Sequence, residues 1–142
     1  MLHTIQTLNY RLVLGVALAG FALGWTWYSP LLFARAWMEE VKLTPDKLRE
    51  IAAKRGVLRY FVTAFAYMLF STFGLAVLIK AQNVEHWLPG AGFGLFVGVF
   101  VIGVRLLNSS LWEDRTLRLQ VITVGHEVAL FTLQGALLAV WN

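Results

Sequence analysis

The residues best placed to do chemistry lie inside apolar runs. Glu127 stands near the middle of the last one, where an acidic side chain costs about 2.5–3.5 kcal/mol to insert into a bilayer. At 100° per residue Gln120, Thr123, Glu127 and Gln134 fall in one narrow wedge of that helix. On an earlier run Tyr60, Thr63, Tyr67, Ser71 and Gly74 fall in a similar wedge. Tyr67 and Glu127 sit at comparable depth, which predicts a polar seam of Tyr67, Ser71, Gln120, Thr123 and Glu127 between two helices. A protonated Glu127 hydrogen-bonded to Tyr67 would close such a seam. A path for protons or a solute would use the same residues. His126 is adjacent to Glu127 but about 100° away around the helix, and one Glu and one His are too few ligands for a metal. Arg105, with Asn108, Glu113, Asp114 and Arg115 beyond it, reads as a topological anchor that either snorkels to the interface or pairs with Glu113 or Asp114. The sequence holds no cysteine, so thiolate chemistry and disulfides are excluded. Neither a nucleophile–base pair nor a cofactor motif is legible, and the chain reads as a non-enzyme that needs no cofactor.

The elements that must hold these residues are membrane helices. Of 142 residues 58% are hydrophobic and 14% charged, against about 25% charged in a soluble domain. Such a chain cannot coat a globule in water. Four apolar runs, at residues 12–34, 57–79, 90–107 and 119–141, are each close to the length that crosses a hydrocarbon core of about 30 Å. The expected fold is all-α, a four-helix transmembrane bundle in a single membrane domain. The loop at residues 35–56 should carry a short amphipathic helix. Thr44-Pro45 supplies its N-cap and first position, and Gly56 its stop. Leu48, Ile51 and Ala52 form its apolar face, suited to a membrane surface.

The basic residues set the orientation. Arg35, Lys42, Lys47, Arg49, Lys54, Arg55, Arg59, Arg105, Arg115 and Arg118 flank the first and third loops, and only Arg11 and Lys80 lie opposite. Positive residues stay cytoplasmic, so both termini are expected outside the cytoplasm of a bacterial inner membrane. This pattern explains the basic residues without nucleic acid.

Small residues should set the packing. Gly20 and Gly24 share a face of the first span with Trp27. Gly90, Gly94 and Gly98 form a ladder on the third, expected to meet the first span or a second copy of itself. Trp25, Tyr28, Trp37 and Trp141 are expected interface anchors.

Trp27-Tyr28-Ser29-Pro30-Leu31-Leu32-Phe33, then Ala36-Trp37-Met38 and Leu43-Thr44, resembles the opening signature of a family of small bacterial membrane proteins, domain of unknown function 1761. Leu111-Trp112-Glu113 and the leucine-rich span with Gly125 and Gly135 are similar to its closing half. The family pattern runs Tyr-His after the glycine matching Gly125, where this chain has His126-Glu127. The resemblance implies a four-helix integral membrane protein and brings no activity, substrate or catalytic residue. The expected role is a compact accessory or scaffold protein, with the lipid bilayer and a homo-oligomer or membrane protein as partners. The alternative is a small oligomeric transporter or channel built on the seam around Glu127 and Tyr67.

Overall fold

A computed structural model describes residues 2–141, apart from the side chains of Leu2, Arg55 and Trp141. The anchor expected at Trp141 therefore falls outside the described residues.

The described residues form helices α1 (Leu2–Gln6), α2 (Tyr10–Trp27), α3 (Ala34–Glu40), α4 (Pro45–Arg55), α5 (Val57–Ala81), α6 (Trp87–Phe96), a π-helical segment (Val97–Gly103), α7 (Val104–Trp112) and α8 (Leu117–Trp141). Four helical stretches are long and apolar enough to cross a membrane: Tyr10–Trp27, Val57–Ala81, Trp87–Trp112 and Leu117–Val140. The protein is thus an all-helical, multi-pass membrane protein. The third span is one rod assembled from α6, the π segment and α7.

Two span limits differ from the sequence reading. The first span ends at Trp27, well before residue 34. Pro30 disfavours helical geometry at Ser29, and the chain turns there: Phe33 N–H donates to the Trp27 carbonyl at 3.1 Å and Ala34 N–H to the Ser29 carbonyl at 3.2 Å. The third span is longer than residues 90–107. Pro89 lies in its first turn, where an N–H has no intrahelical partner to lose, and the helix runs on through Asn108 to Trp112.

The amphipathic element forms as α4. Thr44 Oγ1 accepts from Lys47 N–H at 3.2 Å, Pro45 opens the helix, and Gly56 closes it at φ 74°. Leu48 and Ile51 stay exposed, an uncovered apolar face suited to lipid headgroups.

The fourth span is the axis. It packs against α2, α3, α5, α6, the π segment and α7. The glycine ladder of α6 faces it, not the first span: a Cβ on Gly94 would lie 1.9 Å from the Phe131 carbonyl oxygen, and one on Gly90 would lie 2.4 Å from that of Gly135. Gly98 rests on Val128 in the same way, its Cβ position 3.0 Å from Val128 Cα. The two backbones touch because the third span carries no side chain at these positions, and at Gly90 against Gly135 neither helix does. A core of Leu75, Ala76, Ile79, Phe131, Leu138 and Ala139 lies toward the end that carries α1.

Loop contacts fix which ends lie together. Glu39 and Glu40 of α3 meet the start of the fourth span, with Arg118 3.0 Å from Glu39 and Thr116 donating to Glu40. The first and third loops therefore share one end of the bundle. At the other end Lys80 Nζ donates to the Thr7 carbonyl at 2.6 Å.

Candidate functional site: an imidazole–carboxylate pair under an aromatic turn

The turn that closes the first span carries the aromatic stretch and folds it onto the middle of α8. Trp27 lies across Gly125, where a Cβ would come within 3.3 Å of the indole. Its Nε1–H donates to the Ile122 carbonyl at 3.1 Å, and its ring meets Phe33 at 4.8 Å between centroids. The next residue, Tyr28, has its ring 5.2 Å from the His126 imidazole and 5.6 Å from Trp37. Tyr28 and Trp37, expected as interface anchors, are half-buried and meet edge to face over α8. The span stops at Trp27, and the tight turn at Pro30 swings α3 back across α8. Trp25 does stand exposed.

Under this turn His126 is 7% exposed. Its Nδ1 lies 3.0 Å from Glu127 Oε1. Adjacent helical residues diverge, yet a glutamate side chain is long enough to bend back to its neighbour, so the separation expected around the helix does not hold at the functional groups. The opposite nitrogen, Nε2, is enclosed and has no hydrogen-bond partner among the described residues. It lies against Gly24, whose Cβ position is 3.3 Å away.

Cavities flank the pair on two sides. A cavity of about 530 Å³ lies between the first and second spans, walled by Phe21, Trp25, Tyr60 and Phe61, with Gly24 and His126 also lining it. A smaller one of about 220 Å³ is lined by Glu127, Thr123, Tyr28, Ser110, Glu113 and Arg115. In the latter, Glu113 accepts from Arg115 Nε at 2.6 Å and from Ser109 Oγ at 3.0 Å. The guanidinium, then the Ser109 hydroxyl, hold the Glu113 carboxyl below the usual carboxylate range.

The seam expected between the second and fourth spans is replaced. Tyr67 is 71% exposed and faces outward, away from Glu127. Ser71 bonds within its own helix, to the Met68 carbonyl at 2.9 Å. The second span is turned by about one residue, so that Thr72, Leu75, Ala76 and Ile79 face inward. The polar contact between the spans is Gln134 Nε2 to Thr72 Oγ1, 2.8 Å, with both residues fully buried. Gly20 makes room for it: a Cβ there would lie 2.7 Å from Gln134 Nε2. Gln120 reaches back to the Arg115 carbonyl at 3.0 Å, and Thr123 bonds the Leu119 carbonyl at 2.9 Å. Of the seam residues, Thr123 and Glu127 share a cavity wall. Arg105 is exposed, and Glu113, one of the two partners weighed for it, pairs with Arg115.

Sequence reasoning passed over Thr72 and gave His126 no role. Thr72 sits one helical turn after Met68 on a face that reads as apolar. For His126 a signal was present: a glycine at 125 beside a polar pair is what an aromatic ring lying flat on a helix needs.

The fold and site define a four-span helical membrane bundle with a buried imidazole–carboxylate pair covered by an aromatic turn. The family model described as a protein of unknown function (DUF1761) matches residues 12–139. The chain belongs to that family. No curated protein and no solved structure matches it.

Proposed function

We propose that the protein is a compact accessory or scaffold protein of the bacterial inner membrane and not an enzyme, with both termini outside the cytoplasm. It would work through the bilayer and through a second copy or another membrane protein. The observation that carries this reading is the backbone-to-backbone seam between the third and fourth spans, at Gly94 against Phe131 and Gly90 against Gly135. Helices in such contact leave no lumen between them, and the Thr72–Gln134 contact closes the second and fourth spans with packed polar groups. What remains for interaction is an apolar exterior and an uncovered α4.

A second reading, a small oligomeric transporter or channel, draws on one observation. Glu127 and His126 hydrogen-bond to each other while lining different cavities, an arrangement through which a proton could pass. The two readings separate in one experiment. The protein is purified in mild detergent, its oligomeric state and bound partners are measured, and the same sample is reconstituted into liposomes. A defined oligomer or a co-purifying membrane protein, with no proton flux above empty liposomes, supports the accessory role. Flux that Glu127→Gln abolishes without unfolding the protein overturns it in favour of transport.

A further inference from the structure

We propose that the cavity between the first and second spans is a binding site for a lipid-soluble phenol, whose hydroxyl donates a hydrogen bond to Nε2 of His126.

The wall chemistry selects the ligand. Phe21, Trp25, Tyr60 and Phe61 give flat aromatic surfaces, held by their own packing: Phe61 lies 6.2 Å from Phe21 and 5.8 Å from Trp25 between centroids. Offset and edge-on contact with such rings favours a planar aromatic guest. Among the described residues no Lys, Arg, Asp or Glu lines the cavity, so an ionised headgroup would be desolvated there without a counter-charge from them. A volume of about 530 Å³ is in the range of small-molecule sites. It lies between two membrane spans, so a guest reaches it from the hydrocarbon phase.

The polar end of the site is fixed independently. Buried polar nitrogens are nearly always hydrogen-bonded, and an exception calls for a reason. Here Nδ1 is engaged by Glu127 at 3.0 Å, which fixes the ring. When Glu127 accepts from Nδ1–H, a neutral imidazole presents a lone pair at Nε2. That atom has no partner among the described residues and is enclosed at the inner end of the cavity beside Gly24. Nε2 has almost no free surface in this structure, so the hydroxyl reaches it as the first and second spans part around the guest, beside the missing side chain of Gly24. The hydroxyl-bearing Tyr28, Ser29 and Tyr60 line the cavity too, but the buried acceptor without a partner at its inner end is Nε2. With aromatic walls and no charged side chain among the described lining residues, it describes the complement of a neutral phenol.

The test uses the full chain in nanodiscs, with 4-pentylphenol and its methyl ether, 4-pentylanisole, as probes. Binding is read by quenching of tryptophan fluorescence, and empty nanodiscs correct for partition into lipid. The phenol is expected to bind saturably and about tenfold more tightly than the ether, a difference of about 1.4 kcal/mol. His126→Phe keeps the wall apolar and is expected to equalise the two probes. Gly24→Ala, which places a methyl 3.3 Å from Nε2, is expected to weaken the phenol toward the ether while the protein still melts cooperatively. Equal binding of the two probes by the unaltered protein overturns the proposal and leaves a cavity that acyl chains can fill. Absence of saturable binding of either probe overturns it as well. So does a full phenol preference in folded Gly24→Ala, which decides the matter even if His126→Phe fails to fold.

Discussion

Trp27 and Ile122 are 95 residues apart in sequence and joined by a 3.1 Å hydrogen bond from the indole Nε1–H to the carbonyl oxygen. The bond ties the end of the first span to the fourth near its start, one helical turn before His126. The carbonyl is already the kind that a helix uses internally, so the indole takes its second lone pair. Trp27→Phe should keep most of the packing on Gly125 and lose the bond, lowering stability by about 1 kcal/mol. Trp27→Ala should lower it by about 3–5 kcal/mol through the void it leaves. Thermal unfolding in detergent, followed by circular dichroism, checks the order. An alanine variant as stable as the phenylalanine variant would show that the indole is not packed as described.

The glycine seam makes a paired prediction. Gly94→Ala drives a methyl into the Phe131 carbonyl, whereas Gly92, two residues away, has nothing within 4 Å of its Cβ position. Gly94→Ala should therefore separate the third and fourth spans and cost the monodisperse peak in size-exclusion chromatography. Gly92→Ala should be neutral or stabilise by about 0.5–1 kcal/mol, since alanine loses less freedom than glycine in a helix. Equal behaviour of the two variants would contradict the face assigned to α6.

Gln134 and Thr72 form a buried polar pair, so they should be strongly coupled. Thr72→Val leaves the Gln134 amide with only its weak contact to Met68 Sδ at 3.3 Å and should destabilise by about 1–3 kcal/mol. Gln134→Leu alone leaves Thr72 with its bond to the Met68 carbonyl at 2.8 Å, so its cost should be smaller. The double variant should cost less than the sum of the singles in a double-mutant cycle. Additive effects would mean that the 2.8 Å contact contributes nothing.

Glu113 gives a pH dependence with a definite sign. Its carboxyl is held low by Arg115 and Ser109, so the folded state favours the charged form more than the unfolded chain does. The stabilisation it contributes is present above the ordinary carboxylate range and is lost as pH falls through the lowered folded value. Carbon-13 NMR of labelled glutamate should show Glu113 titrating below the other exposed glutamates. Arg115→Gln should bring it back up toward them. An unchanged titration in that variant would remove the guanidinium as the cause.

Sidedness can be measured in a chain that has no cysteine of its own. Ser110, at the end of the third span, is buried and unsuited to labelling, whereas Asp46 and Leu117 are exposed and belong to the same end of the bundle. Cysteines at Asp46 and Leu117 should resist a membrane-impermeant maleimide in intact cells, and one at Glu85 should react. Reaction at Asp46 would reverse the proposed orientation.

Much of the architecture was legible in the residues. Four apolar runs, the cap at Thr44-Pro45, the stop at Gly56 and the grouping of basic residues are local signals, and each is set by what a backbone segment needs from its own side chains or from lipid. The all-helical, four-span class follows from these alone. The rotation of each span about its axis does not. In water a polar stripe and an apolar stripe tell a helix which way to face, but lipid is as apolar as a protein core and removes that contrast. Tyr67 could therefore face outward while Thr72, five residues further on, faced Gln134. The ladder of Gly90, Gly94 and Gly98 could likewise choose the fourth span over the first. The same reason hid the site. Glu127 was conspicuous as a mid-span acid, but its partner was decided by the turn at Pro30, which ends the first span early and lays Trp27 and Tyr28 over Gly125 and His126. The sequence by itself determined the spans and the residues that bilayer insertion makes expensive. Close backbone fit at glycines and long-range hydrogen bonds, which exist only once the helices are assembled, decided which of those residues meet.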